Sequence, residues 1–363
     1  MTFVAPPVRR LAGIEPGAVP FGRLIEEQQP VVLEGLARDW PLVAQGRLGP
    51  ARAVAYLKRF AADRPVTGFT GPPEISGRFH YNAELTGLNF AASRVPLGAF
   101  LDEILSHLDD EAPPAFYVGS TDLDIYLPGF RAENDLCLDH PTFAIGTPLA
   151  SIWIGNRTIA SAHYDISNNL ACCMVGRRRF TLFPPEQIAN LYPGPLEPTP
   201  GGQVVTMVDL RAPDLDRHSR FREAMAAAQV AELEPGDVLF YPSLWWHEVE
   251  ALDGFNVMVN YWWNTVPPFI DTPQTTLLHA LLSLRDRPES EKRAWRALFD
   301  YYVFGNAERA GEHLPEHARG NLAPMDEMKA RRLRAVAPQV GPSPRRWPRI
   351  WGRCWRLRSS NPT

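Results

Sequence analysis

Asn169-Leu-Ala-Cys-Cys-Met-Val175, Gly176-Arg177 and Arg178-Arg-Phe-Thr-Leu-Phe183 read together as two strands joined by a two-residue Gly-X turn. That turn predicts Val175 opposite Arg178, Cys173 opposite Phe180, Ala171 opposite Leu182 and Asn169 opposite Pro184. Opposed residues share a sheet face. The face so formed carries the Asn169 amide at one end, the Arg178 guanidinium at the other and apolar side chains between them. A guanidinium there either meets an anion or snorkels to water at the sheet margin, and the hairpin alone leaves both readings open. Cys172 and Cys173 point to opposite faces as core fillers.

Outward from this stretch the pattern continues as short strands. Residues 151–154, 230–233, 238–241 and 255–263 are apolar, β-branched or aromatic, several of them bounded by Gly, Pro or Asn. A helix is expected over 219–228 among them. Such a run of strands with Gly/Pro turns predicts a sandwich, barrel or jelly roll. Proline at 36 residues, about twice ordinary usage, agrees with strands and turns rather than long helices. Upstream, residues 20–110 read as mixed α/β, with a strand at 30–33 and helical stripes at 51–60 and 97–108. Another strand is expected at 115–118. Beyond Pro273 two helices are expected, over 274–285 and 290–304.

The 363 residues are 45% hydrophobic and 21% charged, the balance of a folded globular chain. No run of 18 apolar residues occurs, so no membrane-spanning helix is expected. The first 16 residues hold no apolar stretch of a secretory signal. Four scattered cysteines (Cys137, Cys172, Cys173, Cys354) form neither a disulfide framework nor a C-x-x-C zinc site, so the expected location is the reducing cytoplasm. The net charge of −4 is uneven, because the last 23 residues hold six arginines and no acid. The acidic body argues against nucleic acid as its partner.

His163 and Asp165 lie two residues apart in a strand-rich region. On an extended chain, side chains at i and i+2 leave the same face and converge. One such pair arises by chance among nine histidines and 41 acids. A second feature strengthens it: Glu234-Pro-Gly-Asp237 turns into an apolar strand, followed by Trp245, Trp246 and His247. Two imidazoles and a carboxylate make the facial triad of non-haem Fe(II) oxygenases, and the same set with water suits zinc. On residue types alone, His163 and His247 read equally as satisfied structural histidines.

Four ordered motifs carry a resemblance. They are His163-Tyr-Asp165 with Asn169, Gly176-Arg-Arg-Arg-Phe-Thr-Leu-Phe-Pro-Pro185, Glu234-Pro-Gly-Asp-Val-Leu-Phe-Tyr-Pro-Ser-Leu-Trp-Trp-His247, and Asn256-Val-Met-Val-Asn260-Tyr-Trp-Trp263. With Pro30-Val-Val-Leu-Glu-Gly-Leu36 and Asp39-Trp40-Pro41 as an entry segment, residues 20–305 resemble the JmjC-type, cupin-like 2-oxoglutarate oxygenases, particularly the branch of the factor-inhibiting asparaginyl hydroxylase. The resemblance implies His163, Asp165 and His247 as iron ligands. It implies Arg178, where many relatives have lysine, as the group that binds the distal carboxylate of 2-oxoglutarate. Asn169 and Asn260 match pocket amides, Tyr117 matches a pocket tyrosine, and Trp262 shares the inward face with Asn260. A hydroxyl that the family pattern places three residues before the first histidine is missing, since Ala160 stands there.

The sequence therefore reads as a mainly β protein with α: a double-stranded β-helix (jelly-roll, cupin) core with N-terminal α/β elements and C-terminal helices. Four regions are expected: an arm at 1–19, the oxygenase domain at 20–270, a helical region at 271–340, and a basic Trp/Arg tail at 341–363 that reads as disordered. The implied activity is Fe(II)- and 2-oxoglutarate-dependent hydroxylation by O2 of a protein, RNA or small-molecule substrate, inside a wall formed by Trp245, Trp246 and Trp262. The loops at 71–79 and 192–202 are expected to frame the entrance. The apolar faces of the C-terminal helices predict a homodimer. Two rivals keep the triad: a cupin-type isomerase or hydrolase, which has no need of an inward Arg178, and a non-catalytic metal-binding sensor.

Overall fold

A computed structural model describes residues 5–336. The chain divides after Thr265 into two compact units. In the first, the strands follow chain order as β1 (Arg9–Leu11), β2 (Val31–Leu33), β3 (Val66–Gly71), β4 (Arg78–Phe79) and β5 (Ala91–Val95), then β6 (Ala115–Asp122) and β7 (Leu149–Gly155). There follow β8 (Ile159–Tyr164), β9 (Asn168–Val175), β10 (Arg178–Phe183), β11 (Gln229–Leu233), β12 (Val238–Tyr241), β13 (Trp246–Ala251) and β14 (Asn256–Trp263). They form a nine-stranded sheet, β1-β2-β12-β9-β14-β7-β6-β3-β5, and a five-stranded sheet, β11-β10-β13-β8-β4.

This arrangement corrects the expected double-stranded β-helix or jelly roll. Both sheets are open: each runs from one edge strand to another and neither closes into a barrel. The architecture is mixed α/β, and N-terminal strands β3, β5 and β6 extend the larger sheet well past the core ladder. The predicted β9–β10 hairpin is corrected as well. Strand β9 pairs with β12 and β14, whereas β10 pairs with β11 and β13, so the chain leaves one sheet for the other at Gly176-Arg177. Gly176 has φ +67, and a Cβ there would lie 2.3 Å from Asn256 Oδ1 and 2.7 Å from the Phe255 carbonyl. The glycine thus serves a tight corner, not a hairpin turn.

Side-chain alternation explains how the sheets stack. Ala171 and Cys173 of β9, Leu239 and Tyr241 of β12 and Met258 of β14 pack against Phe180, Leu182 and Val249 of the smaller sheet. The intervening residues Leu170, Cys172, Val259 and Tyr261 face the other way, into a core with the helices Pro41–Arg47, Pro50–Lys58 and Leu97–Ser106. The two cysteines do point to opposite faces. The outer face of the smaller sheet, with Phe183 and Trp246, is covered by Leu191, Val204, Val208 and Phe221. At the start of β12, the Asp237 carboxylate accepts from the Gly35 N–H at 2.8 Å and pairs with Arg10 at 2.7 Å, tying the entry segment to the core.

The second unit begins with the helices Pro273–Ser283 and Glu289–Phe299, the latter running into a π-helical turn at Asp300–Phe304. Among the described residues, no helix is long and apolar enough to cross a membrane. Cys354 and the basic Trp/Arg tail lie outside the described residues.

Candidate metal centre and its cavity

His163 ends up beside His247 because their strands are neighbours: in the β8–β13 ladder the two histidines are register partners. Their ring centroids are 4.4 Å apart. Asp165 follows two residues after His163, where its backbone carbonyl accepts from the Leu244 N–H at 2.7 Å. One ligand atom from each of the three lies within 4.8 Å of the others, and the Asp165 Oδ2 to His247 Nε2 distance is 3.6 Å.

Both imidazoles are held by their own chain. His163 Nδ1 donates to the Ser161 carbonyl at 2.8 Å and His247 Nδ1 to the Trp245 carbonyl at 3.0 Å. That fixes the tautomer and leaves each Nε2 lone pair for a metal. Burial, together with His163 and against the pull of Asp165, lowers the His247 pKa to about 4, so the ring stays neutral near pH 7. Asp165 Oδ2 accepts from Trp262 Nε1 at 3.2 Å and Asn169 Nδ2 at 3.3 Å. Two oriented imidazoles and an oriented carboxylate are a donor set that fits a divalent transition metal.

The triad opens on a cavity of about 410 Å³. Of the residues singled out by sequence, Tyr117, Asn169, Asn260 and Trp262 line it with His163, Asp165 and His247. Asn260 Nδ2 donates to Asn169 Oδ1 at 3.3 Å. Trp245 and Trp246 do not line it, contrary to expectation: Trp245 packs between the sheets and Trp246 behind the smaller one. The tryptophans of the wall are Trp153 and Trp262, edge to face at 5.5 Å. From the loops expected at the entrance, Phe79, Pro200, Gly201 and Gly202 reach the lining.

Arg178 lies apart from the lining, on β10, with 2% of its surface exposed. Its Nε and Nη2 are buried without a hydrogen-bond partner. Burial lowers its pKa, and the groups that oppose this, Tyr117 and Cys173, are both neutral: burial raises each to about 12. An unpaired buried guanidinium is unfavourable unless an anion completes it, and a dicarboxylate whose other end reaches the triad fits that need. The snorkelling alternative is excluded by the burial.

Sequence reading missed two groups. Tyr241 looks like one more core residue of an apolar strand, yet its hydroxyl accepts from Asn169 Nδ2 at 2.5 Å and stands 3.5 Å from His247 Nε2. Trp153 donates to Asn260 Oδ1 at 2.7 Å. Period-2 counting from Leu239 and Ser151 would have turned both inward. Ser161, a neighbour of the missing hydroxyl at Ala160, is engaged instead by Arg78 Nε at 3.2 Å.

Residues 18–269 match the family described as "Cupin-like domain". Over 245 residues the chain is 27% identical to Lysine-specific demethylase 8 of Xenopus tropicalis, covering 65% of this chain and 48% of that protein. It is 32% identical over 176 residues to HSPB1-associated protein 1 of Homo sapiens, covering 46% of this chain and 35% of the relative. Against tRNA wybutosine-synthesizing protein 5 of Mus musculus it is 32% identical over 144 residues, 40% of this chain and 39% of the relative. The chain spans less than half the length of these relatives. With two imidazoles and a carboxylate converging inside the matched stretch, the chain belongs to the cupin-like domain family.

Proposed function

We propose that the protein is an Fe(II)- and 2-oxoglutarate-dependent oxygenase, most simply a hydroxylase. The observation that carries this reading is the unpaired buried guanidinium of Arg178 in the same core as an open 2-His-1-carboxylate triad. A cupin-type isomerase or hydrolase has use for the triad but none for a buried cation awaiting an anion. A non-catalytic sensor leaves the same cation unexplained.

Each residue has a part in this chemistry. His163, Asp165 and His247 would hold iron, which supplies activation of O2 coupled to decarboxylation of 2-oxoglutarate to succinate and CO2. Arg178 binds the distal carboxylate through its planar fork. Trp262 and Asn169 orient the Asp165 carboxylate. Trp153, Trp262, Met258 and Val249 keep bulk water from the reacting centre. The purified 363-residue chain supplied with Fe(II) and O2 is expected to release succinate and CO2 from 2-oxoglutarate, and to stop when O2 is removed. Turnover of another substrate with no succinate would reject the oxygenase in favour of the isomerase or hydrolase.

Within the superfamily we place the chain near the asparaginyl hydroxylase branch, on the order and spacing of its four motifs. The relatives' names refer to lysine demethylation and to tRNA wybutosine synthesis, so they do not converge on one substrate. The cavity itself favours an uncharged group: Phe69, Phe79 and Phe90 pack edge to face along it, and among the described residues Asp165 is the one carboxylate on its lining, with no Lys or Arg beside it. We assign residues 20–270 to the oxygenase domain, with an arm at 1–19, a helical region at 271–340 and a tail at 341–363. Free Cys137, Cys172 and Cys173 support a cytoplasmic location.

We also infer a homodimer through the C-terminal helices. Neither Pro273–Ser283 nor Glu289–Phe299 has a buried residue. Leu277, Leu278 and Leu282 on the first and Trp295, Leu298 and Tyr302 on the second are exposed. Helices of this length hold in water only when an apolar face is covered, and a second copy covers both at once. Light scattering at micromolar concentration is expected to give twice the 40.7 kDa chain mass. A species of single-chain mass would reject the dimer.

A further inference from the structure

Tyr241 has no assigned part in the reaction, although its hydroxyl is aimed at the triad. The residue is 2% exposed. Its surroundings fix which way its proton points. Trp153 Nε1, which can only donate, gives its hydrogen to Asn260 Oδ1 at 2.7 Å. That leaves the Asn260 amide to donate to Asn169 Oδ1 at 3.3 Å. The Asn169 amide in turn donates to the Tyr241 oxygen at 2.5 Å. The chain of donors therefore runs in one direction, from Trp153 to Tyr241, and the phenol must pass its own hydrogen onward.

Onward lies His247 Nε2 at 3.5 Å, and no other acceptor for this hydroxyl is found among the described residues. That nitrogen is the one freed for a metal by the bond from Nδ1 to the Trp245 carbonyl. Once a metal takes the lone pair, the Tyr241 hydrogen has only an incoming ligand to meet. Tyr117, the other phenol on the lining, is close enough to feel both Arg178 and Asp165.

We propose that Tyr241 is a positioning residue for the co-substrate, donating a hydrogen bond to an oxygen of its 2-oxoacid end while Arg178 holds the distal carboxylate. This rests on the oxygenase reading above. It assigns the 2-oxoacid end to Tyr241 because the hydroxyl sits against the ligand atom of His247, whereas Arg178 lies away from the lining. It also supplies a hydroxyl to a site in which Ala160 has none and Ser161 is engaged by Arg78.

The test uses the full chain loaded with Fe(II) without O2, titrated separately with 2-oxoglutarate and with 2-oxovalerate, which has the same carbon chain but no distal carboxylate. Binding is read from the visible absorption band of the metal–2-oxoacid complex. Tyr241→Phe is expected to weaken both ligands by the same factor, roughly ten-fold, as loss of one hydrogen bond to a charged group does. It should also shift the band while leaving Fe(II) affinity and the thermal midpoint close to wild type. Arg178→Ala is expected to weaken 2-oxoglutarate alone. Equal affinity of Tyr241→Phe and wild type for both ligands would overturn the proposal, as would a loss confined to 2-oxoglutarate, which would move Tyr241 to the distal end. A wild-type chain that binds Fe(II) but neither 2-oxoacid would overturn the oxygenase reading itself, a result distinct from either of those.

Discussion

Asp165→Ala is expected to abolish stoichiometric Fe(II) binding and all release of succinate. His163 and His247 are register partners on adjacent strands, so without Asp165 they present two nitrogens from one side and no negative charge. A two-nitrogen site loses the charge neutralisation and the third direction that define the facial set. The fold should survive. Asp165 keeps 19% of its side chain exposed, and its backbone carbonyl bond to Leu244 does not depend on the side chain. What the alanine removes is the acceptor for Trp262 Nε1 and Asn169 Nδ2. A companion variant, Trp262→Phe, keeps the carboxylate but removes one of the two hydrogen bonds that its Oδ2 accepts. It should weaken the metal by roughly ten-fold, the usual size of an outer hydrogen bond's contribution to a site. Equilibrium dialysis with metal analysis measures both. One iron per chain in wild type and undiminished iron in Asp165→Ala would remove the carboxylate from the site.

The sequence carries some of this geometry and not the rest, for a physical reason. Whether a strand residue points in or out depends on its neighbours at i±2, which are local. So Asn169, Asn260 and Trp262 were legible as inward, and β10 and β12 match their expected bounds. Which strand pairs with which depends on contacts far apart in sequence. The Gly176-Arg177 turn has the local chemistry of a hairpin, yet the chain uses it to change sheets. Asn169 and Arg178 still share the space between the sheets, because alternation alone sets their direction.

Polar and short strands stayed hidden too. Strand β5, Ala91–Val95, is largely exposed and carries no apolar alternation. Strand β13 begins with Trp246-His247-Glu248, which reads as the end of a strand rather than its start. Tyr241 was invisible as a site residue because an aromatic in an apolar strand reads as core, and only its partners reveal the hydroxyl's task.

Replacing Arg178 is expected to move stability and co-substrate affinity in opposite directions. In the apo chain its Nε and Nη2 are buried and unpaired, beside a phenol and a thiol that are both neutral. A charge so placed destabilises the fold, and exchange for an apolar side chain of similar length commonly gains on the order of 1–4 kcal/mol. Arg178→Met should therefore raise the thermal midpoint of the apo protein. With 2-oxoglutarate the order reverses. Wild type gains about 2.7 kcal/mol of stability at a hundred-fold excess over Kd, and a variant that has lost the charged fork loses most of that gain. Arg178→Ala should keep Fe(II) yet weaken 2-oxoglutarate by at least ~10-fold, about 1.4 kcal/mol. Arg178→Lys, which keeps the charge and loses the second parallel hydrogen bond, should fall between the two. Calorimetry of each variant with and without the co-substrate reads both effects in one experiment. If the Met variant is less stable in the apo state and binds 2-oxoglutarate as wild type does, Arg178 is a structural cation whose counter-charge comes from elsewhere. The distal carboxylate would then need another partner. Arg78 is the next candidate by burial, but its Nε and Nη2 are already committed to Ser161 and to the Val208 carbonyl. The availability of Arg178, more than its charge, is what singles it out.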